Sequence, residues 1–203
     1  MRRPPIILIT LVGCALLSAE AHAQSHTRGL LLGIRGAGAS LEVEDGERQS
    51  GGGGGLQIGF GVSSAVSLFL SADAVNIDIT NPDIEGSYTF GIGDLGIRLL
   101  LRSDQGSFRP YLQGSVSGLV AAATVELGPF ASSDIEVRGS GFSLGGGFQL
   151  FLARSLALDA AALFTSGGFN ELKVESVTEE FETLDAKAGR LALGLVWYPM
   201  TPR

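Results

Sequence analysis

Phe142-Ser143-Leu144-Gly145-Gly146-Gly147-Phe148-Gln149-Leu150-Phe151-Leu152 changes character at nearly every step. Phe142, Leu144, Phe148, Leu150 and Leu152 share one parity, and Ser143, Gly145, Gly147 and Gln149 share the other with Phe151. A period of two sends alternate side chains to opposite faces of a strand, whereas a helix needs a period near 3.6. The rhythm returns at Leu56, Ile58, Phe60 and Val62, set between Gln57, Gly59 and Gly61, and again at Leu191, Leu193, Leu195 and Trp197. One face is uniformly oily. The other is small or polar, rich in Gly, Ser and Ala and poor in Lys and Glu, unlike a face turned to water. That combination fits a barrel with lipid outside and polar groups enclosed. Parity alone does not tell inside from outside, so a soluble lipocalin-like carrier of an apolar ligand stands as an alternative.

Arg2 and Arg3, the apolar run Ile6 to Leu17 and the triplet Ala21-His22-Ala23 have the layout of a secretory signal peptide. Residues 1–23 are expected to be cleaved, leaving 24–203 as one domain. Leu11-Val12-Gly13-Cys14 also has the form of a lipobox, but Ala15-Leu16-Leu17 continues the apolar run past it. Cleavage after Ala23 removes the chain's one cysteine and makes the net charge one unit more negative than the −7 of the whole sequence. A disulfide, a thiol nucleophile and a thiolate metal site are thereby excluded. An acidic chain whose only lysines are Lys173 and Lys187 argues against a nucleic-acid partner. Beyond the leader the longest apolar run, near Leu119 to Val125, falls well short of the about 20 residues a spanning helix needs.

Eight strands are expected, over 28–43, 53–62, 66–79, 87–101, 109–126, 139–152, 156–170 and 186–198. Short connections at 63–65, 102–108 and 153–155 alternate with longer polar ones at 44–52, 80–86, 127–138 and 171–185. The longer ones gather acids such as Glu44, Glu136, Glu171, Glu179, Glu180 and Glu182, while Arg28, Arg102, Arg109, Arg154 and Arg203 fall toward the opposite rim. In the third strand the oily parity switches between Leu68-Leu70-Ala72 and Val75-Ile77-Ile79, which predicts a bulge near Asp73-Ala74. Gly51 to Gly55 reads as a flexible loop entering a strand.

The leader, the hairpin rhythm and the last strand, Arg190-Leu191-Ala192-Leu193-Gly194-Leu195-Val196-Trp197-Tyr198, resemble the eight-stranded outer-membrane barrels of Gram-negative-type bacteria, the OmpA-like and OmpX-like transmembrane domains. The resemblance implies an all-β fold, an eight-stranded antiparallel up-and-down transmembrane β-barrel, placed in the bacterial outer membrane with both termini periplasmic. Its implied partners are outer-membrane lipid and, during biogenesis, the barrel-insertion machinery. Such barrels usually end on an aromatic residue, whereas here Trp197-Tyr198 is followed by Pro199-Met200-Thr201-Pro202-Arg203, so an insertion signal would be internal.

On the small or polar parity lie Arg35, Asp73, Asp94, Arg98, Asp159 and Arg190, with Gln57, Gln113 and Gln149. An eight-stranded interior is just wide enough for side chains to fill it, and buried charge is tolerated only when paired. These nine residues are the candidate lumen site: six charges in a network, three glutamines beside them. They read as a plug, with a narrow porin-like channel for small polar solutes as the alternative. Histidine occurs only at His22 and His26, outside any strand, so a Ser-His-acid centre and histidine metal sites are not expected, nor is any cofactor. Gly91-Ile92-Gly93-Asp94-Leu95-Gly96 spells GxGxxG but sits inside a strand with no helix after it, so it is read as strand glycine. Tyr88, Phe90, Phe142, Phe148, Trp197 and Tyr198 are candidates for interfacial aromatic girdles. The segment 171–185 mixes acids with Leu172, Val174, Phe181 and Leu184 and is the candidate contact for a protein partner. The sum is a non-enzymatic barrel with a structural or surface-interaction role.

Overall fold

Every alternating segment becomes a strand: β1 (Gly29–Val43), β2 (Gln49–Gly61), β3 (Val66–Asp78), β4 (Ser87–Leu100), β5 (Phe108–Gly128), β6 (Ala131–Ala153), β7 (Leu156–Val174) and β8 (Val177–Trp197). The structure is a computed structural model that describes residues 27–44, 46–78, 86–101, 107–128, 131–174 and 177–199. The expected leader with Cys14, and Arg102 and Arg203, lie outside these residues. Each strand pairs antiparallel with the next, and β1 closes on β8 from Leu32↔Trp197 to Val43↔Ala186. Closure leaves no edge along the spanning segment, the condition a strand structure must meet where no water is available to the backbone.

The oily parity faces outward. Ile34, Leu56, Leu70, Leu95, Leu112, Leu144, Leu193 and Trp197 are all exposed on the outer wall. On β6 this face is oily from Phe142 to Leu152, and on β3 from Val66 to Ala74. Those lengths match the about 9–11 residues a tilted strand uses to cross a bilayer. A soluble carrier with its leucines inside is incompatible with this wall.

Beyond that band both faces exchange character at one level. On β3 the outward residues pass from Leu70 and Ala72 to Asn76 and Asp78, while the buried ones pass from Ser71 and Asp73 to Val75 and Ile77. On β4 the same exchange runs from Leu95 to Thr89 outside and from Asp94 to Phe90 inside. The barrel leaves the lipid there and becomes oily inside and polar outside, as a sheet in water must be.

This exchange corrects four sequence readings. No bulge exists at Asp73-Ala74: β3 holds an unbroken register through Gly55↔Asp73 and Gly54↔Ala74 on one side and Asp73↔Ile92 and Ala74↔Gly91 on the other. The parity switch that suggested one is the inversion of environment. Gly51 to Gly55 is strand, paired to both β1 and β3. The expected connections 127–138 and 171–185 are mostly ladder, since β6 begins at Ala131 and β8 at Val177. Their described outward residues, among them Arg138, Thr183 and Asp185, are polar as a wall in water must be, and polarity made these segments read as loops. True irregularities lie at Phe169/Glu171, Arg138/Gly139, Phe151/Ala153 and Glu126/Gly128.

Candidate functional site: the filled lumen

Period two within a closed barrel brings candidate residues from all eight strands into one interior. Arg35 of β1, Gln57 of β2, Asp73 of β3, Asp94 and Arg98 of β4, Gln113 of β5, Gln149 of β6, Asp159 of β7 and Arg190 of β8 all point inward, and all but Arg35 are buried. They form two joined layers.

In the layer nearer the short turns, Arg98 is the hub. Its Nη1 donates to Asp159 Oδ2 at 3.0 Å, and its Nε and Nη2 both donate to Gln113 Oε1 at 3.1 and 2.9 Å. Tyr111 Oη and Gln149 Nε2 donate to the same Asp159 carboxylate at 2.8 and 2.9 Å. The guanidinium lies 4.0 Å from the Tyr111 ring centroid, adding a cation–π contact. Tyr111 fits because its partner across the ladder is a glycine: a Cβ on Gly147 would come within 2.6 Å of the Tyr111 hydroxyl.

The second layer is centred on Asp73 and Asp94. Arg35 grips Asp73 through two bonds, Nε to Oδ1 at 2.7 Å and Nη2 to Oδ2 at 2.6 Å. Arg190 spans both acids, donating to Asp73 Oδ2 at 3.0 Å and to Asp94 at 2.7 and 3.1 Å. Ser115 and Ser117 hydroxyls donate to Asp94 Oδ1 at 3.0 and 2.6 Å, and a hydroxyl chain continues from Ser117 through Ser143 to Thr165. Gln57 Oε1 accepts from Arg35 and Arg98, both at 3.4 Å, and ties the layers together. Buried charge is stable only with such multiple partners, and paired fork geometry supplies them.

Glycine shapes this layer too. A Cβ on Gly55 would fall 2.0 Å from Asp73 Oδ1. Gly55→Ala is therefore expected to displace the carboxylate from Arg35 and lower stability by about 1–3 kcal/mol, measured as a lower urea midpoint in detergent or lipid. An unchanged midpoint would show that the Asp73 site has room to spare.

Above and below the network the lumen carries apolar clusters. Toward the short turns lie Leu31, Phe151, Ala157, Val196 and Tyr198. Toward the long hairpins lie Leu41, Val75, Ile77, Phe90, Leu119 and Phe169 among others. Phe90 and Tyr198 thus face the interior, not a girdle, and Tyr88 packs against the hairpin-end cluster. Phe142, Phe148 and Trp197 face outward.

Sequence reasoning placed Arg109 on the rim, and the structure buries it completely. Its Nη1 donates to Thr27 Oγ1 at 3.2 Å and its guanidinium sits 5.0 Å from the Phe151 ring centroid. The signal was available, because Arg109 shares parity with Tyr111 and Gln113; proximity to a short connection outweighed it. The hydroxyl ladder of Ser71, Ser115, Ser117, Ser143 and Thr165 was also missed, since serine on a small-residue parity carries no distinctive pattern. Among the described residues no group of three or more His, Cys, Asp or Glu is placed to hold a metal.

A closed eight-stranded antiparallel barrel with an oily belt and a filled polar interior defines the class: a small outer-membrane β-barrel. No family model matches the chain, and no curated protein matches its sequence. Solved structures do. Neisserial surface protein A is 16% identical, with 83% of this chain and 96% of that one covered at a TM-score of 0.60. The outer membrane protein OprG from Pseudomonas aeruginosa is 12% identical, with 87% and 98% covered at 0.59. Ail, the attachment invasion locus protein of Yersinia pestis, is 10% identical, with 84% and 99% covered at 0.50. At such identities the likeness is one of fold.

Proposed function

We propose that this protein is a non-conducting, non-enzymatic barrel whose work is done by its water-exposed hairpins. The observation that supports this reading most directly is the lumen, where Arg98 and Arg190 are each about 1–2% exposed and locked to carboxylates of other strands. An eight-stranded barrel has no spare width once such side chains fill it. The long hairpins then stand on the extracellular side and both termini on the periplasmic side, the usual arrangement of short turns and long connections.

The hairpin β7–β8 carries the proposed contact with a protein partner. It rises well clear of the oily band, and loop ends on a rigid scaffold are where binding residues concentrate. Its 171–185 segment holds Glu171, Glu179, Glu180, Glu182 and Asp185 with one lysine, Lys173, so a basic partner surface suits it. Ail, an attachment protein by name, is built on the same fold.

Planar-bilayer recording of the refolded barrel tests the closed lumen. Silence under applied voltage is expected. Steady open currents would instead favour the narrow channel for small polar solutes. For the surface role, charge reversal of Glu179, Glu180 and Glu182 to Lys is expected to leave folding intact and abolish capture of a polylysine-coated surface.

A further inference from the structure

We infer that the barrier to solutes at the hairpin end is the apolar layer above the ion pairs, and that the charge network beneath is sealed off by it. The inference rests on the filled-lumen reading and says which part of the filling does the sealing. The layer is built from Leu41 of β1, Val75 and Ile77 of β3, Phe90 of β4, Leu119 of β5 and Phe169 of β7, each 4% exposed or less. Ile77 and Phe90 expose nothing at all.

Most of the large side chains come from β3, β4 and β5, with Phe169 of β7 and Leu41 of β1 beside them, and small ones fill between. β3 and β4 set Val75 directly across from Phe90, whereas β8 contributes Ala186 and Ala188, and β1 contributes Ala37 and Ala39. β2 pairs glycine against the large residues of β3, Gly53 with Val75 and Gly51 with Ile77. Large-against-small packing of this kind fills the cross-section without a channel.

The two lumen chemistries resist ions differently. Guanidinium and carboxylate groups can replace lost hydration, and a network of exchangeable hydrogen bonds admits small rearrangements. A dry apolar layer offers an ion no partner, and the cost of stripping its water stands uncompensated. Among the described residues the apolar layer lies between the hairpin end and the network, so it decides whether water reaches Thr165, Arg190 and Asp94.

One engineered thiol tests this, because Cys14 is the chain's only cysteine and Cys14→Ser leaves a thiol-free background. Thr165→Cys places the probe just below the layer, at a side chain with no exposed surface. The refolded barrel in lipid vesicles is treated with a small, charged, membrane-impermeant methanethiosulfonate added from the hairpin side, with Ser140→Cys on the exposed wall as reference. Labelling of Thr165→Cys is expected to be slow against that reference. Adding Phe90→Ala and Phe169→Ala is expected to speed it by about tenfold or more, since truncating two rings opens a cavity through the layer. Leu119→Ala serves where the double variant fails the heat-dependent gel shift of a folded barrel. Neutralising the upper ion pair with Arg35→Gln and Asp73→Asn is expected to leave labelling slow.

Each outcome decides something. Fast labelling in the thiol parent would overturn the filled-lumen reading itself. Slow labelling in the parent that stays slow in the folded apolar variants would overturn the seal alone. Acceleration by the Arg35→Gln/Asp73→Asn pair, with the apolar layer intact, would assign the barrier to the charges.

Discussion

Arg190→Ala should cost the folded barrel about 3–5 kcal/mol, the usual penalty for removing one partner of a buried ion pair. Arg190 bridges Asp73 and Asp94, but the two acids are not left in the same position. Asp73 keeps both bonds to Arg35, at 2.6 and 2.7 Å. Asp94 keeps only hydroxyl partners, Ser71, Ser115 and Ser117. The uncompensated charge therefore sits on Asp94, and Asp94→Asn in the Arg190→Ala background should recover a large part of the loss. Urea unfolding of the reconstituted protein, with the heat-dependent gel shift as a second readout, measures both variants. Equal stability of Arg190→Ala and the parent would mean that the network does not hold the strands together. Arg98→Ala is expected to fall in the same direction, because Asp159 then keeps only the neutral donors Tyr111 and Gln149.

The second large effect lies one residue from a buried arginine. Ile97 is about half exposed on the outer wall, while its neighbour Arg98 is sealed in the lumen. Ile97→Arg puts a guanidinium into hydrocarbon near mid-membrane and is expected to cost about 2–4 kcal/mol in lipid. Thr89→Arg, on the same face of the same strand but above the level where the faces exchange character, should change stability by less than about 0.5 kcal/mol. The pair maps the membrane boundary along β4. Matching penalties at both positions would remove the boundary from where the residue pattern puts it.

The reading of β3 shows how far local pattern reaches. Ser71 and Asp73 on one parity, Leu70 and Ala72 on the other, sufficed to orient the lower half of the strand. The same rule failed at Val75 and Ile77, because period two reports which residues share a face but not what that face touches. Lipid, water and a packed interior each rewrite the meaning of an oily side chain. A straight strand crossing from one environment to another then imitates a bulged strand within one. The long hairpins were lost for a related reason: the outward residues of a ladder standing in water have the composition of a loop.

The nine lumen residues were legible because charge on a small-residue parity has no other stable place in such a barrel. Their partners were not. Asp73 lies 38 positions from Arg35 and 117 from Arg190, and nothing local connects them. Sequence alone determined the strand count, the parity of each strand in the membrane and six of the enclosed charges, since these follow from side-chain period and the cost of unpaired charge. Only the closed tertiary structure decided which arginine meets which aspartate, drew Arg109 inside, and set an apolar layer over the ions. Those outcomes depend on register and shear around the whole barrel, and no single strand contains them.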